Sequence, residues 1–243
     1  MGLNREVVLV TGASQRLGAQ MVRSLSAAGY AVILHTRRAT SEARQLKRDL
    51  DEQNLLTSIV EGDLTEVQAI NDLFGRALTR YGRIDHLVNN ASSFSPLSVE
   101  ETTVEAFTSL MALHNSAPFF LSKELYIHLK QHNRRGSVIN ICDATLSAPK
   151  SSRPAYYIAK GALLAQTKAL AVALGPVVRV NAISPGPILA NADDKGYFTR
   201  MAERLPVGHT GAASDISRSV KFLLESPFIT GIEVVVDGGL RLL

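Results

Sequence analysis

Residues 7–18 read Val7-Val8-Leu9-Val10-Thr11-Gly12-Ala13-Ser14-Gln15-Arg16-Leu17-Gly18. The apolar run Val7–Val10 predicts a short strand buried on both faces, as the strands of a parallel sheet are. Helical spacing follows from Arg16 to Ala28 and stops at Gly29, a residue suited to a helix C-terminus. The Gly-x-x-x-Arg-x-Gly turn between strand and helix would let backbone N–H groups approach a pyrophosphate at the helix N-terminus. Taken alone, the same turn fits an ordinary tight connection.

The rest of the chain repeats the alternation. Apolar runs at Ala31–Leu34, Thr57–Val60, His86–Val88, Ser137–Ile141, Arg179–Ile183 and Glu233–Val236 predict further strands. Amphipathic stretches at Ser41–Asn54, Val67–Tyr81, Val104–Lys130 (carrying Pro118), Tyr156–Leu174 and Ile216–Leu224 predict helices between them. About seven strands alternating with helices define an α/β fold: a Rossmann-like, doubly wound parallel sheet covered by helices on both faces. The 243 residues are 46% hydrophobic and 20% charged, enough to bury a large core. No Pro/Gly/Ser-rich linker or charge block divides them, so a single domain over residues 1–243 is expected. Ligands on such sheets bind beyond the carboxyl ends of the strands, near the switch in strand order.

The net charge is +4, from 26 basic and 22 acidic residues. That mild excess favours an anionic small molecule over nucleic acid, and no basic stretch is interleaved with aromatics. The single cysteine, Cys142, excludes an internal disulfide and fits a reducing compartment. Its place in a predicted strand gives it a packing role. The start of the chain is unlike a signal peptide and no apolar run matches a bilayer, so a cytoplasmic protein without a membrane partner is expected. The six histidines show no metal-ligand spacing, and no metal is expected.

Polar residues gather just after the predicted strands. The second strand ends His35-Thr36-Arg37-Arg38, where a dinucleotide lacking a 2′-phosphate usually meets an acid. The planar forks of Arg37 and Arg38 suit a phosphate dianion instead; Arg44, Lys47 and Arg48 read as a solvated helix face. Asp63 could accept from an adenine amino group or cap the segment after it, and Asn89 or Asn90 could hold strand-end geometry. Tyr156 and Lys160 stand four apart and share a helix face. A nearby ammonium would favour the phenolate and lower a phenol pKa ordinarily near about 10. The lysine could also hydrogen-bond a ribose. Tyr157 is the rival phenol, but four residues on it meets Gly161.

Thr11-Gly12-x-x-x-Arg16-x-Gly18, Asn89-Asn90-Ala91, Asn115, Tyr156-x-x-x-Lys160, Pro185-Gly186 and Val236-Asp237-Gly238-Gly239 together resemble the short-chain dehydrogenase/reductase family along essentially the whole chain. The resemblance implies a proton relay of Tyr156, Lys160 and Asn115. It also implies NADPH as cofactor, with contacts from Gly12, Arg16, Leu17, Thr36, Arg37, Arg38, Asp63, Leu64, Asn90, Ala91, Ser92, Tyr156, Lys160, Pro185, Gly186 and Ile188. Two departures from the general family pattern, Arg16 for a glycine and Asp143 near a usual serine, are similar to the pteridine reductase branch. So are Asn90-Ala91-Ser92-Ser93-Phe94 and the His-x-Arg-Arg strand end. That branch implies a pterin or folate substrate held by Arg16, Ser92, Phe94, Asp143 and Tyr156, with Phe94 stacking on the ring and Asp143 assisting Tyr156 in protonating it. A carboxylate would repel the alkoxide of a ketone reduction, whereas a C=N bond in a pterin needs a proton. A carbonyl reductase of the same fold and a non-catalytic dinucleotide sensor are the competing expectations. The segment 189–206 reads as a substrate lid, and the family resemblance implies a homotetramer.

The basic strand end generates a direct test. NADPH should be clearly preferred to NADH in steady-state kinetics, and the preference should shrink in an Arg37→Ala, Arg38→Ala double variant. Equal use of the two cofactors by the unaltered protein would remove the 2′-phosphate assignment.

Overall fold

The computed structural model describes residues 4–94, 96–189 and 196–243. Seven strands, β1 (Val7–Val10), β2 (Ala31–Thr36), β3 (Thr57–Glu61), β4 (His86–Asn89), β5 (Gly136–Ile141), β6 (Val178–Pro185) and β7 (Glu233–Val236), form one sheet in the order β3-β2-β1-β4-β5-β6-β7. Every pairing is parallel. The chain winds outward from β1 to β3, then returns to place β4 on the other side of β1. The switch in strand order therefore falls between β1 and β4, where a crevice opens at the strand tips.

Side-chain alternation along β1 sends Val7 and Leu9 to one face and Val8 and Val10 to the other. The first pair packs with α3 (Ile70–Leu78), α5 (Ala117–Gln131) and the far end of α6 (Pro154–Ala173) through Leu73, Phe74, Leu121, Leu125 and Leu170. The second pair packs with α1 (Arg16–Ala27), α2 (Ser41–Asp51) and α8 (Ala213–Glu225) through Met21, Leu25, Leu46, Leu50, Ile216 and Val220. Both faces of β1 are fully buried, which is why its residues are uniformly apolar rather than alternating.

The expected elements appear within a few residues of their read boundaries, with two differences. The long helix expected over Val104–Lys130 is α4 (Val104–Met111), a π turn over Ala112–Ser116, and then α5. Pro118 supplies the reason: it has no N–H for the carbonyl four residues earlier, so the ladder widens just before it. A further helix, α7 (Tyr197–Arg204), lies within the expected lid, whose residues 190–195 fall outside those described. Among the described residues no helix is long and apolar enough to cross a membrane.

The start of α1 can tolerate nothing larger than glycine at position 18. A Cβ there would stand 2.2 Å from the Gly12 carbonyl oxygen and 2.8 Å from the Asn90 amide nitrogen. Gly18→Ala should cost about 1–3 kcal/mol through overpacking, read as a Tm lowered by several degrees in calorimetry. Gly75, inside α3 with open space around its Cβ position, provides the contrast. Gly75→Ala should hold or raise Tm, since alanine is the better helix former.

Candidate active site

The cofactor side of the crevice is built from the ends of β1, β2 and β4. The Thr11 hydroxyl oxygen accepts from the main-chain N–H groups of Asn90 and Ala91, at 2.9 and 3.0 Å. The Asn90 side-chain amide donates to the carbonyls of Thr11 and Gly12, at 2.9 and 3.0 Å. This lacing brings the Gly12 backbone so close that a Cβ would lie 2.7 Å from the Ala91 Cα, and Gly12 takes φ +60°. His35 links the same turn to β3: its Nδ1 accepts from the Gly12 N–H (3.3 Å) and its Nε2–H donates to the Gly62 carbonyl (2.9 Å). The first of these bonds requires the neutral ring, because a protonated Nδ1 cannot accept.

The N-terminus of α1 carries no side-chain cap, so its free N–H groups and the helix dipole are left for an anion. Arg16 opens that helix at φ +52°, the left-handed region that a non-glycine residue enters at a cost of about 1–2 kcal/mol. At the tip of β2, Arg37 donates through Nε to Asp63 at 2.6 Å, and the other oxygen of Asp63 accepts from the Thr65 N–H and hydroxyl. Asp63 thus caps its own loop, the blander of its two expected roles, and also fixes Arg37. Burial pushes the Asp63 carboxyl up, but these hydrogen bonds outweigh it and leave the group below its usual range. Arg37 and Arg38 remain exposed at the rim. An uncapped helix start, a close glycine turn and two arginines after β2 fit a dinucleotide bearing a 2′-phosphate.

On the chemical side, Asp143 follows β5 and divides its two oxygens. Oδ1 accepts from the Thr145 N–H (2.8 Å) and hydroxyl (2.5 Å), capping the 3₁₀ turn Ala144–Ser147. Oδ2 accepts from the Tyr156 hydroxyl at 2.8 Å. Lys160 is buried and donates to the Ile141 carbonyl at 2.7 Å. The electrostatics reverse the expectation for Tyr156. Burial, followed by the Asp143 charge and hydrogen bond, holds the phenol far above its ordinary value. Burial lowers Lys160 below the usual lysine range. Tyr156 is therefore a neutral donor aimed at a carboxylate, not a ready phenolate. Cys142 packs with Leu163 and Ala182, and burial raises its thiol to about 12.

One cleft of about 1340 Å³ contains every expected site residue except Asn115, from Gly12 and Arg16 through Phe94 to Asp143, Tyr156, Lys160 and Ile188. That exceeds the roughly 300–1,000 Å³ of a single small-molecule pocket, leaving room for a second ring beside a dinucleotide. Asn115 lies in the π turn facing α6. Its main-chain oxygen accepts from the Gln166 amide (3.1 Å), whose own oxygen accepts from the Phe119 N–H (3.0 Å). Its neighbour His114 is the residue that reaches the tyrosine. Fully buried, its ring meets Tyr156 edge-on at 5.7 Å and its Nε2–H donates to the Ser93 carbonyl at 3.3 Å. Burial, helped by the Lys160 charge, depresses His114 to about 3. Arg153, three residues before Tyr156, and Phe198 and Arg200 of α7 also line the cleft. His114 and Arg153 were not read from the sequence; Phe198 and Arg200 fall within the segment 189–206 expected as a lid. The signal for His114 was its place four residues before Pro118, where the helix must widen.

The fold and this cleft define a dinucleotide-dependent oxidoreductase. The family model described as enoyl-(acyl carrier protein) reductase matches residues 12–241, and the chain belongs to this short-chain dehydrogenase/reductase family. It is 31% identical over 248 residues to the granaticin polyketide synthase putative ketoacyl reductase 2 of Streptomyces violaceoruber, covering 98% of this chain and 96% of the relative. It is also 31% identical over 279 residues to pteridine reductase 1 of Leishmania tarentolae, covering 97% and 96%. Among solved structures, the FolM alternative dihydrofolate reductase 1 of Brucella canis complexed with NADP superposes with a TM-score of 0.91 at 31% identity, covering 98% of this chain and 95% of that one.

The His35 bridge makes the cofactor turn sensitive to acid. In the folded chain burial lowers His35 to about 4, against the raising effects of the Gly62 carbonyl and Asp63; unfolded, it titrates near about 6.5. Between those values the unfolded chain binds more protons, so stability is full above about pH 6.5 and falls as pH drops towards 4. His114 acts in the same direction. His35 alone is worth on the order of 3 kcal/mol across its window, and carboxylates contribute mainly below about pH 4.5. Calorimetry should show Tm falling between about pH 6.5 and 4.5, with a shallower slope in His35→Gln. A flat Tm over that interval would contradict the assignment.

Proposed function

We propose that this chain is an NADPH-dependent pteridine reductase that reduces the C=N bond of a dihydropterin or dihydrofolate to the tetrahydro form. The observation that carries the reading is the 2.8 Å bond from the Tyr156 hydroxyl to Asp143, in a cleft also lined by Phe94. The NADP-bound structural relative and the pteridine reductase relative support it. Bound NADPH supplies the hydride. Gly12, Leu17 and the start of α1 would hold its pyrophosphate; Arg37 and Arg38 its 2′-phosphate; Asn90, Ala91 and Ile188 its remaining length. Lys160, with one N–H committed to Ile141, has two left for ribose hydroxyls.

Asp143 and Tyr156 manage the proton. A pterin's amino and ring N–H groups donate to a carboxylate, so substrate can take over Asp143 Oδ2 and release the phenol to face the ring nitrogen. As the neighbouring carbon accepts hydride, that nitrogen becomes strongly basic and takes the proton from Tyr156. A phenol held neutral suits this step, because the proton must be present when charge develops. The Lys160 ammonium then stands near the resulting phenolate until solvent reprotonates it. At a ketone the same Asp143 would face a growing alkoxide and oppose it. Arg16 and Ser92 would contact the substrate and phosphates, and Phe94 would stack on the ring. His114, in place of the Asn115 side chain, would hold the Tyr156 ring. The exposed apolar residues Val104, Phe119, Ile158 and Val172 on α4, α5 and α6 support assembly as a homotetramer.

The test is NADPH oxidation with dihydrobiopterin and dihydrofolate beside acetoacetyl thioesters. Pteridines should be turned over and thioesters not. Tyr156→Phe should lower kcat roughly 10²- to 10⁴-fold, the range for a lost general acid, and Asp143→Asn should also lower it. Turnover of the thioester alone would remove the pteridine reading in favour of carbonyl reduction. Unchanged turnover in Tyr156→Phe would remove the catalytic one.

A further inference from the structure

Arg153 stands at the N-cap of α6, half-buried on the wall of the cleft. Its guanidinium carbon lies 4.8 Å from the centre of the Phe94 ring, 5.5 Å from that of Tyr156 and 5.1 Å from that of Tyr157. Nε–H donates to the Tyr157 hydroxyl at 3.0 Å. The two Nη groups, with four N–H bonds, have no acceptor among the described residues. No carboxylate among those residues lies within ion-pairing distance, and both oxygens of the nearby Asp143 are committed to Thr145 and Tyr156.

The other partly buried arginines are treated differently. Arg83 is paired with Asp85, Arg241 with Glu233, and Arg179 donates to the carbonyls of Leu223, Leu224 and Ile229. A charge taken partly out of water without an opposite charge is unfavourable, and aromatic faces repay only part of that. Arg153 therefore presents a planar fork whose Nη donors meet no acceptor among the described residues, braced on three rings, beside the Tyr156 ring. Such a fork matches a carboxylate, which it can hold with two parallel hydrogen bonds.

We propose that Arg153 is a specificity-determining residue that binds a carboxylate carried by the substrate beyond its reducible ring. It thereby selects a pteridine with an anionic tail, as in dihydrofolate, over one with a neutral polyol side chain, as in dihydrobiopterin. The inference rests on the pteridine reading above and adds the residue that divides its substrates.

The experiment compares kcat/KM for dihydrofolate and dihydrobiopterin at saturating NADPH in the unaltered protein, Arg153→Gln and Arg153→Lys. The dihydrofolate-to-dihydrobiopterin ratio should fall about tenfold or more in Arg153→Gln, the effect of losing one charged hydrogen-bonding partner. Arg153→Lys should restore part of it by keeping the charge without the fork. In the unaltered protein, KM for dihydrofolate should rise between about 10 mM and 0.5 M salt through screening, while that for dihydrobiopterin stays level. This arm requires no variant to fold. A ratio within about twofold of the unaltered value in Arg153→Gln, or a dihydrofolate KM indifferent to salt, overturns the role of Arg153 and leaves pteridine reduction standing. Failure of the unaltered protein to turn over either pteridine overturns both.

Discussion

The close approach of the β1 and β4 tips is the constraint from which the site is built. Parallel strands leave their carboxyl ends open, and the switch in strand order means no crossover helix covers β1 and β4 there. Something must tie the two ends together at a distance that still admits a cofactor. The Thr11 hydroxyl and the Asn90 amide do so with four hydrogen bonds, and only Gly12 and Gly18 permit the resulting contact. The lacing satisfies partly buried polar groups at the strand ends, where an unmade bond in a buried place costs about 1–3 kcal/mol. The turn is therefore stiff before any ligand arrives, and the start of α1 is presented in one orientation.

Asp143 performs the equivalent service on the chemical side. One oxygen of its carboxylate caps the 3₁₀ turn and the other accepts from the Tyr156 hydroxyl. The cap fixes the direction in which the second oxygen points, so the hydrogen bond to Tyr156 inherits the rigidity of the 3₁₀ turn. Without the cap, the carboxylate would be free to rotate away from a phenol whose burial it must share. The consequence for chemistry is a tyrosine kept protonated by two agents acting together, burial and a neighbouring anion.

How much of this was legible in the sequence follows the range of the forces involved. Strands and helices came from local patterns of apolar residues, because burial on both faces of the sheet acts on every residue of β1 and β2 alike. Gly12, Asp143, Tyr156 and Lys160 were legible because the chemistry of each constrains both residue type and place in the fold. The state of Tyr156 was not. Lys160 at the fourth position on implied a lowered pKa, but its N–H bonds to Ile141 and the phenol turns to an acid thirteen residues earlier. Arg153 was passed over because an arginine before a helix usually faces solvent. Its three aromatic neighbours include Phe94, more than fifty residues away in sequence.

The Asn115 and His114 exchange shows how a backbone rule decides a side chain's role. An uninterrupted α-helix would advance each residue by about 100°, and the reading over Val104–Lys130 assumed one. Pro118 cannot donate to the carbonyl four residues before it, which belongs to His114. The helix answers with one wider turn over Ala112–Ser116. Past that turn the faces of the helix are rotated relative to an unbroken one. Within the turn itself His114 lies inward against Tyr156, with its Nε2–H on the Ser93 carbonyl beside Phe94, and the Asn115 carbonyl is left to Gln166. A single missing N–H thus couples Tyr156, through His114, to the loop that carries Phe94. It does so through a ring that burial holds well below the ordinary histidine range.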